Sequence, residues 1–78
     1  MSDLPDLPHI EKGIYTHYKG NRYDVIGVAC HTETHEAVVV YRPLYDSTAE
    51  LFVRPYDMFV ETITIDGQII PRFKKVED

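Results

Sequence analysis

The short segment from His31 to His35 carries the residues best suited to chemistry. It reads His-Thr-Glu-Thr-His, so two imidazoles and a carboxylate occupy alternate positions. On an extended strand all three side chains would face the same way, and two His with one Glu form the ligand set of some hydrolytic zinc sites. The spacing differs from the helical H-E-x-x-H motif, and the segment straddles a predicted turn, where alternation breaks down. We therefore predict a solvated loop rather than a metal site, with His31 and Glu33 as candidate ligand contacts.

Cys30 lies directly beside His31, a pairing that could suggest a thiolate nucleophile. Adjacent strand residues point to opposite faces, so this imidazole is badly placed to activate this thiol. We expect Cys30 to be a small, partly buried apolar residue. A single cysteine also excludes an intramolecular disulfide and a cysteine-rich zinc site. With no nucleophile–base pair and no phosphate-binding loop, the sequence predicts a non-enzymatic protein without catalytic residues, metal or cofactor.

Four arginines lie in or beside predicted strands of a chain that is otherwise acidic. An arginine on a sheet face can hold a carboxylate or phosphate through two parallel hydrogen bonds. The alternative, expected for most of the four, is a structural ion pair with a nearby carboxylate. Arg54 is the best candidate for an exception, because it flanks Phe52 and because Pro55 restricts its backbone. The four are Arg22, Arg42, Arg54 and Arg72.

Six tyrosines are more than a small core readily absorbs with satisfied hydroxyl groups. Small barrels often bind extended peptides or nucleotides across an aromatic face. The alternative is that several tyrosines are half-buried with their hydroxyls in water. The candidate ligand-binding residues are Tyr18, Tyr41, Arg42, Phe52 and Arg54, together with His31 and Glu33.

The composition limits the size and the partners of the protein. Its 78 residues allow one domain, and thirteen acidic against eight basic residues give a net charge of −5. This balance argues against a general nucleic-acid or membrane-surface binder, since both need a basic footprint. No apolar run approaches the roughly 20 residues of a membrane span, and the first residues lack a signal-peptide pattern. Together with the lone thiol, these features predict a cytoplasmic protein with no membrane partner.

Short apolar runs separated by turn residues recur along the chain, without a sustained helical period. This pattern favours an all-β fold, a small SH3-like barrel of five to six short antiparallel strands with one 3₁₀ turn at residues 56–59. We expect an extended N-terminal arm over residues 1–12, a single barrel domain over 13–73 and a charged tail over 74–78. The predicted strands cover residues 13–18, 22–31, 37–42, 51–54, 60–65 and 68–73.

Three positions carry specific backbone signals. Gly27, in the middle of a long strand, predicts a bulge or sharp bend. Asp66-Gly67 is the clearest hairpin turn in the chain, because both residue types tolerate a positive φ. Pro71 lacks an N–H group and should either make its strand an edge strand or end its pairing early.

Strand alternation assigns side chains to the core. In the fourth strand Leu51 and Val53 are expected to be buried, which leaves Phe52 and Arg54 on the solvent face. A ring beside a guanidinium could there stack a ligand and pair its negative charge. The expected core comprises Val25, Val38, Val40, Val53, Phe59, Ile63, Ile65 and Phe73.

Several stretches, taken in order, resemble a small bacterial family known as a domain of unknown function, DUF1653. They are Gly13–Val25, Ala29–Thr34, Val39–Tyr41, Val53–Phe59 and Pro71–Phe73. The family usually has a Trp just before the Val-Arg-Pro stretch, where this chain has Phe52. The resemblance implies a small β fold with no established activity and supplies no catalytic residue.

The expected function is that of a binding module for a small anionic or peptide ligand. The alternative is an accessory domain that binds single-stranded nucleic acid by base stacking, with Arg22 and Arg72 on phosphates. The acidity of the chain makes nucleic acid the weaker hypothesis. The sequence does not indicate an oligomeric state.

Overall fold

The computed structural model describes residues 6–76 of the chain. This range contains seven strands and one helical turn. The elements are β1 (Gly13–His17), β2 (Arg22–Cys30), β3 (Ala37–Pro43), β4 (Phe52–Pro55), α1 (Tyr56–Phe59), β5 (Thr62–Ile65), β6 (Gln68–Pro71) and β7 (Phe73–Lys75). Five strands form one sheet in the order β4-β3-β2-β1-β7, while β5 and β6 form a separate hairpin. Every pair of neighbouring strands is antiparallel. The predicted all-β class is confirmed.

The predicted last strand is divided into two at Arg72. Its N–H donates to the carbonyl of Glu61 at 2.9 Å, and its carbonyl accepts from the N–H of Tyr18, also at 2.9 Å. The chain thereby passes from the hairpin to the five-stranded sheet, where Phe73 pairs with His17. Residues 74 and 75 of the predicted tail belong to β7, whereas residues 77–78 of that tail and residues 1–5 of the predicted arm lie outside the described residues.

The predicted 3₁₀ turn is α-helical. The N–H of Val60 donates to the carbonyl of Tyr56 at 3.0 Å, which is the i to i−4 bond of an α-helix. Pro55, with φ −51°, precedes this turn, and Phe59 is its buried residue. Within residues 6–76, no helix has the length and hydropathy required to cross a membrane.

The three backbone signals are confirmed. The register of β2 on β3 shifts between Val25 and Gly27, so the bulge lies where the glycine predicts it. Asp66 and Gly67 both have positive φ, at 51° and 79°, as the tight turn between β5 and β6 requires. Pro71 is the last residue of β6.

Aromatic side chains form the core on one face of the five-stranded sheet, which we call the inner face. Cross-strand partners point to the same side, and the register pairs Tyr15 with Tyr23 and Tyr41 with Phe52. Phe59 closes this face from α1, its ring stacked nearly parallel on that of Phe73 at 4.0 Å between centroids. The buried cluster consists of Tyr15, Tyr23, Val25, Val39, Tyr41, Phe59 and Phe73.

The core tyrosines satisfy their hydroxyl groups at the rim of the cluster. Tyr15 donates its hydroxyl to the carbonyl of Glu11 at 2.8 Å. The hydroxyls of Tyr23 and Tyr45 share a hydrogen bond of 3.1 Å. Burial, with help from this hydrogen bond, raises the pKa of Tyr23 to about 12. These bonds explain how a small core contains so many tyrosines.

Four of the eight residues that we predicted for the core are buried: Val25, Val38, Phe59 and Phe73. Val53 is instead 61% exposed and Ile65 is 41% exposed. Val40 and Ile63 are only partly buried.

The face assignment in the fourth strand is reversed. The register pairs Phe52 with Tyr41 and Arg54 with Val39, both of which are buried. Phe52 and Arg54 therefore face the aromatic core, while Leu51 and Val53 face solvent. Ile63 and Ile65 of β5 lie outside the buried core for a different reason, because their hairpin is separate from the main sheet.

Candidate ligand-binding site

Arg54 extends from β4 over the aromatic inner face. Its Nε donates to the hydroxyl of Tyr41 at 3.2 Å, and its guanidinium carbon lies 5.4 Å from the ring centroid of Phe73. A hydrogen bond on one edge and a ring beneath the plane define the orientation of the guanidinium group.

The outer edge of the Arg54 guanidinium is available for binding. Its two terminal nitrogens make no hydrogen bond within residues 6–76, and no carboxylate of that range lies within ion-pair distance. The same residues include no buried side-chain nitrogen or oxygen without a partner, so these two nitrogens reach solvent. The arrangement leaves these nitrogens free to donate to a carboxylate or phosphate.

His17 stands next to this arginine on the same face. Its ring centroid lies 4.9 Å from that of Phe73 and 4.4 Å from that of Tyr18. Its Nδ1 accepts the N–H of Lys19 at 3.2 Å, which places the proton of the neutral imidazole on Nε2. Burial lowers the pKa of His17, and the positive charges of Arg54, Arg72 and Lys19 lower it further. At neutral pH His17 therefore offers an uncharged N–H donor.

Of the three cations near His17, Arg72 forms an ion pair with a carboxylate. Its Nε and Nη2 both donate to Oε1 of Glu61, at 2.9 and 2.7 Å. The pair joins the last residue before β7 to the residue just before β5, across the base of the hairpin. Arg72 thus has the structural role that was expected for most of the arginines.

A groove begins beside His17 and separates the turn after β1 from strand β6. We call it the Tyr18 groove; it has a volume of about 330 Å³. Tyr18 and Gly20 line it from the turn after β1, and Ile70 and Pro71 line it from β6. Lys74 of β7 also lines it. The residues that line it are Thr16, His17, Tyr18, Gly20, Ile70, Pro71 and Lys74.

Four of the seven predicted site residues come together. Tyr41, Phe52 and Arg54 share the inner face, and Tyr18 joins them through the ring of His17. Arg42 does not, because it alternates with Tyr41 and faces outward, 3.7 Å from a carboxylate oxygen of Asp24.

His31 and Glu33 lie in the turn between β2 and β3, at the opposite end of β2 from Tyr18. The nine residues of β2 separate the two ends by about 30 Å. Nδ1 of His31 accepts the N–H groups of Glu33 and Thr34, at 3.2 and 3.3 Å, so this imidazole organises the turn. Among residues 6–76, no three His, Cys, Asp or Glu side chains are grouped to hold a metal ion.

Sequence reasoning missed His17 as a site residue. The signal was available, since alternation from Tyr15 puts residue 17 on the same face of β1. The residues around His17 do not predict that it pairs with Phe73 of β7. That pairing brings the imidazole to the same aromatic ring that the Arg54 guanidinium covers.

These features define an all-β protein with an antiparallel sheet and an aromatic inner face that carries an arginine with no carboxylate partner among residues 6–76. The family model described as a protein of unknown function, DUF1653, matches residues 13–75. The chain belongs to this family, as the resemblance in its sequence indicated. The chain is also similar to the crystal structure of a DUF1653 protein from Bordetella bronchiseptica, with 37% identity and a TM-score of 0.80 over 86% of this chain and 87% of that one. No curated protein matches the chain.

The lowered pKa of His17 predicts how stability depends on pH. Because the folded chain binds this proton less readily than the unfolded chain, the free energy of unfolding should fall as pH decreases through the ordinary pKa of 6.5 toward the lower folded value. Replacing His17 by Gln, which can still accept the Lys19 N–H, should reduce this loss. Urea unfolding between pH 7.5 and 5 measures the difference.

The matched substitution is His9→Gln, at an exposed histidine that precedes the sheet. It controls for replacing an imidazole by an amide as such. Equal losses of stability in wild type and His17→Gln between pH 7.5 and 5 would contradict the assignment of this acid sensitivity to His17.

Proposed function

We propose that this protein is a non-enzymatic binding module that holds a small anionic or peptide ligand, with Arg54 as its anchor. One observation carries the proposal: the guanidinium of Arg54 is held by Tyr41 and Phe73, whereas no carboxylate of residues 6–76 pairs with it. A half-buried charge is costly unless it is paired. A ligand carboxylate or phosphate would supply that pair, and the held orientation reduces the entropy lost on binding.

The ligand-binding surface that we propose combines the predicted Tyr18, Tyr41, Phe52 and Arg54 with His17. Arg54 and the Nε2–H of His17 would bind the anionic group, and the neighbouring rings would contact its apolar part. The remaining candidates, Arg42, His31 and Glu33, are on the opposite face or at the far end of β2, too distant to touch the same small ligand.

The finer fold that we propose is an SH3-like barrel. Its support is the strand order β4-β3-β2-β1-β7, which places the last strand beside the first, and the helical turn that follows β4. On this view the β5–β6 hairpin is an insertion before the closing strand. We also propose that the chain is one domain after an N-terminal arm, with the predicted end at residue 73 moved outward because β7 continues to Lys75.

A bacterial, cytoplasmic setting is consistent with the same features. The similar DUF1653 structure comes from a bacterium. Cys30, the single cysteine of the chain, is a free, half-buried thiol, and its Sγ donates to the carbonyl of His31 at 3.6 Å. A reducing compartment would keep this thiol in that state.

A ligand with a single anionic group has more support than single-stranded nucleic acid. The nucleic-acid hypothesis assigns phosphates to Arg22 and Arg72, but Arg72 is already bound to Glu61. The net charge of −5 would also repel a polyanion.

Benzoate is a suitable probe, because it combines one carboxylate with one ring. We expect it to shift the NMR signals of the Arg54 Nε–H and of the His17 ring. Arg54→Met keeps an apolar stem over Phe73 but removes the donors, so it should weaken benzoate binding about 10-fold or more. The NMR titration of both proteins measures this ratio.

Two controls accompany this titration. Arg42→Met removes an arginine from the outer face and should leave benzoate affinity unchanged. Benzamide, which has the same ring without the charge, should bind more weakly than benzoate. Equal benzoate affinity in wild type and Arg54→Met would refute Arg54 as the anchor.

A further inference from the structure

The Tyr18 groove has a preformed shape. On one side, the turn after β1 is closed by hydrogen bonds from Gly20 N–H to His17 O, at 2.7 Å, and from His17 N–H to Asn21 O, at 2.8 Å. This turn is joined to the other side by the bond from Tyr18 N–H to Arg72 O, at 2.9 Å. The Arg72–Glu61 ion pair then secures the base of the hairpin that carries Ile70 and Pro71. Largely preformed, mostly apolar concavities are the usual form of binding sites.

The lining of the groove suits an apolar side chain. This lining combines the ring of Tyr18 with the aliphatic side chains of Ile70 and Pro71, and Gly20 contributes no side chain that would fill the groove. Tyr18 is exposed, at 37%, so the ring is accessible. An occupant with a branched aliphatic or aromatic side chain would bury apolar surface on both sides.

The rim of the groove is positively charged in a chain whose net charge is −5. Lys74 lines the groove, and Nζ of Lys19 lies 5.8 Å from the ring centroid of Tyr18. Arg54 lies beyond His17 on the same face. Lys19, Lys74 and Arg54 have no ion-pair partner among residues 6–76. This charge distribution attracts an acidic partner and repels a basic one.

The Tyr18 groove and the Arg54 guanidinium are close enough to contact the same peptide, because His17 and Arg54 both lie against the ring of Phe73. His17 lines the groove, and its ring lies 4.9 Å from the Phe73 centroid, while the Arg54 guanidinium lies 5.4 Å from the same centroid. In an extended peptide, side chains two positions apart point to the same side and are about 7 Å apart. A peptide can therefore place an apolar side chain in the groove and a nearby carboxylate on Arg54.

We propose that the Tyr18 groove binds an extended acidic peptide segment, with a bulky apolar side chain in the groove lined by Tyr18 and Pro71 and a carboxylate two residues away on Arg54. The proposal rests on the proposed function in its use of Arg54, and it specifies a peptide as the ligand. A smaller anion would occupy only the Arg54 end. A nucleic acid would place a polar, phosphate-bearing chain against the aliphatic side of the groove.

Three fluorescently labelled peptides test the proposal by anisotropy: acetyl-Leu-Ser-Glu-Ser-amide, acetyl-Leu-Ser-Gln-Ser-amide and acetyl-Ser-Ser-Glu-Ser-amide. The first should bind at least about 10-fold more tightly than the other two, because only it satisfies both the apolar groove and the cations. Tyr18→Ala and Lys74→Glu should each weaken binding of the first peptide several-fold. Lys12→Glu, an equal charge change at an exposed lysine outside the groove, should weaken it less than Lys74→Glu does.

Benzoate separates failure of this proposal from failure of the proposed function. The expected result is that Arg54→Met weakens both benzoate and the first peptide, whereas Ile70→Ala, at a groove residue outside the proposed benzoate surface, weakens only the peptide. Benzoate binding that depends on Arg54, with peptide affinity unaffected by Ile70→Ala, would overturn the peptide groove and leave the proposed function standing. Benzoate binding independent of Arg54 would overturn both. The protein could also bind an oligothymidylate more tightly than the first peptide, and lose that binding in Tyr18→Ala. That result would overturn the peptide proposal and identify single-stranded nucleic acid as the ligand of the groove.

Discussion

Replacing Phe59 by alanine should lower the free energy of unfolding by about 3–5 kcal/mol, a large part of the roughly 5–15 kcal/mol that stabilises a domain. Phe59 is 1% exposed and stacks on Phe73 at 4.0 Å. Its ring also contacts those of Tyr41 and Tyr15 edge-on, at 5.3 and 5.6 Å between centroids. Neighbouring rings cannot easily collapse into the space it leaves, so a cavity should remain. Urea unfolding measures the change.

Met58→Ala is the matched control, because it removes a large apolar side chain from the same helical turn. Met58 is 46% exposed, so the expected cost is within about 1 kcal/mol. Ile63→Ala should fall between the two, since Ile63 is partly buried in the separate hairpin. A cost for Met58→Ala equal to that for Phe59→Ala would contradict the observed orientation of α1.

Replacing Glu61 by alanine should open the β5–β6 hairpin while leaving the five-stranded sheet folded. A two-stranded hairpin is marginally stable alone, and this one is tied at its base by two hydrogen bonds from Arg72 to Oε1 of Glu61. Hydrogen bonds between charged groups contribute about 1.5–3 kcal/mol, and the partial exposure of this pair reduces that to about 1–2 kcal/mol. Amide hydrogen exchange in residues 62–71 should therefore accelerate about 5- to 30-fold.

Asp24→Ala provides the comparison, because it breaks the other ion pair of the described residues. Arg42 and Asp24 are 3.7 Å apart, and the arginine side chain is more than half exposed. Its loss should change hydrogen exchange by less than about 3-fold. If Glu61→Ala left exchange in residues 62–71 at the wild-type rate, the ion pair would not be what holds the hairpin.

The local features of this fold could be predicted because they follow from backbone chemistry within a few residues. Asp66 and Gly67 tolerate positive φ, Gly27 permits the bulge, and Pro71 cannot continue the ladder. The all-β class follows in the same way, from short β-branched and aromatic runs between turns. The one helical turn was also located correctly, although its hydrogen bonding is α rather than 3₁₀.

The candidate site could be predicted only in part. Tyr41, Phe52 and Arg54 were chosen for their chemical types, and the structure does bring them together. Phe52 and Arg54 were expected on a solvent face, however, and instead face the core, where Tyr41 and Phe73 hold the guanidinium. His17 was missed because its role depends on Phe73, a residue 56 positions further along the chain.

The amino-acid sequence by itself determined where the strands turn, which residues can bind an anion, and that this small chain forms an all-β protein of the DUF1653 family. The tertiary structure decided which side of β4 is buried. In the segment 51–54, apolar side chains lie on both sides of the chain, with Leu51 and Val53 on one side and Phe52 on the other. The pattern of this segment therefore does not show which side is buried. Pairing with β3 resolves this, because Phe52 is opposite the buried Tyr41 and Arg54 is opposite the buried Val39. Whether a side chain faces the core depends on the neighbouring strand with which its own strand pairs. The local sequence pattern does not identify that neighbouring strand.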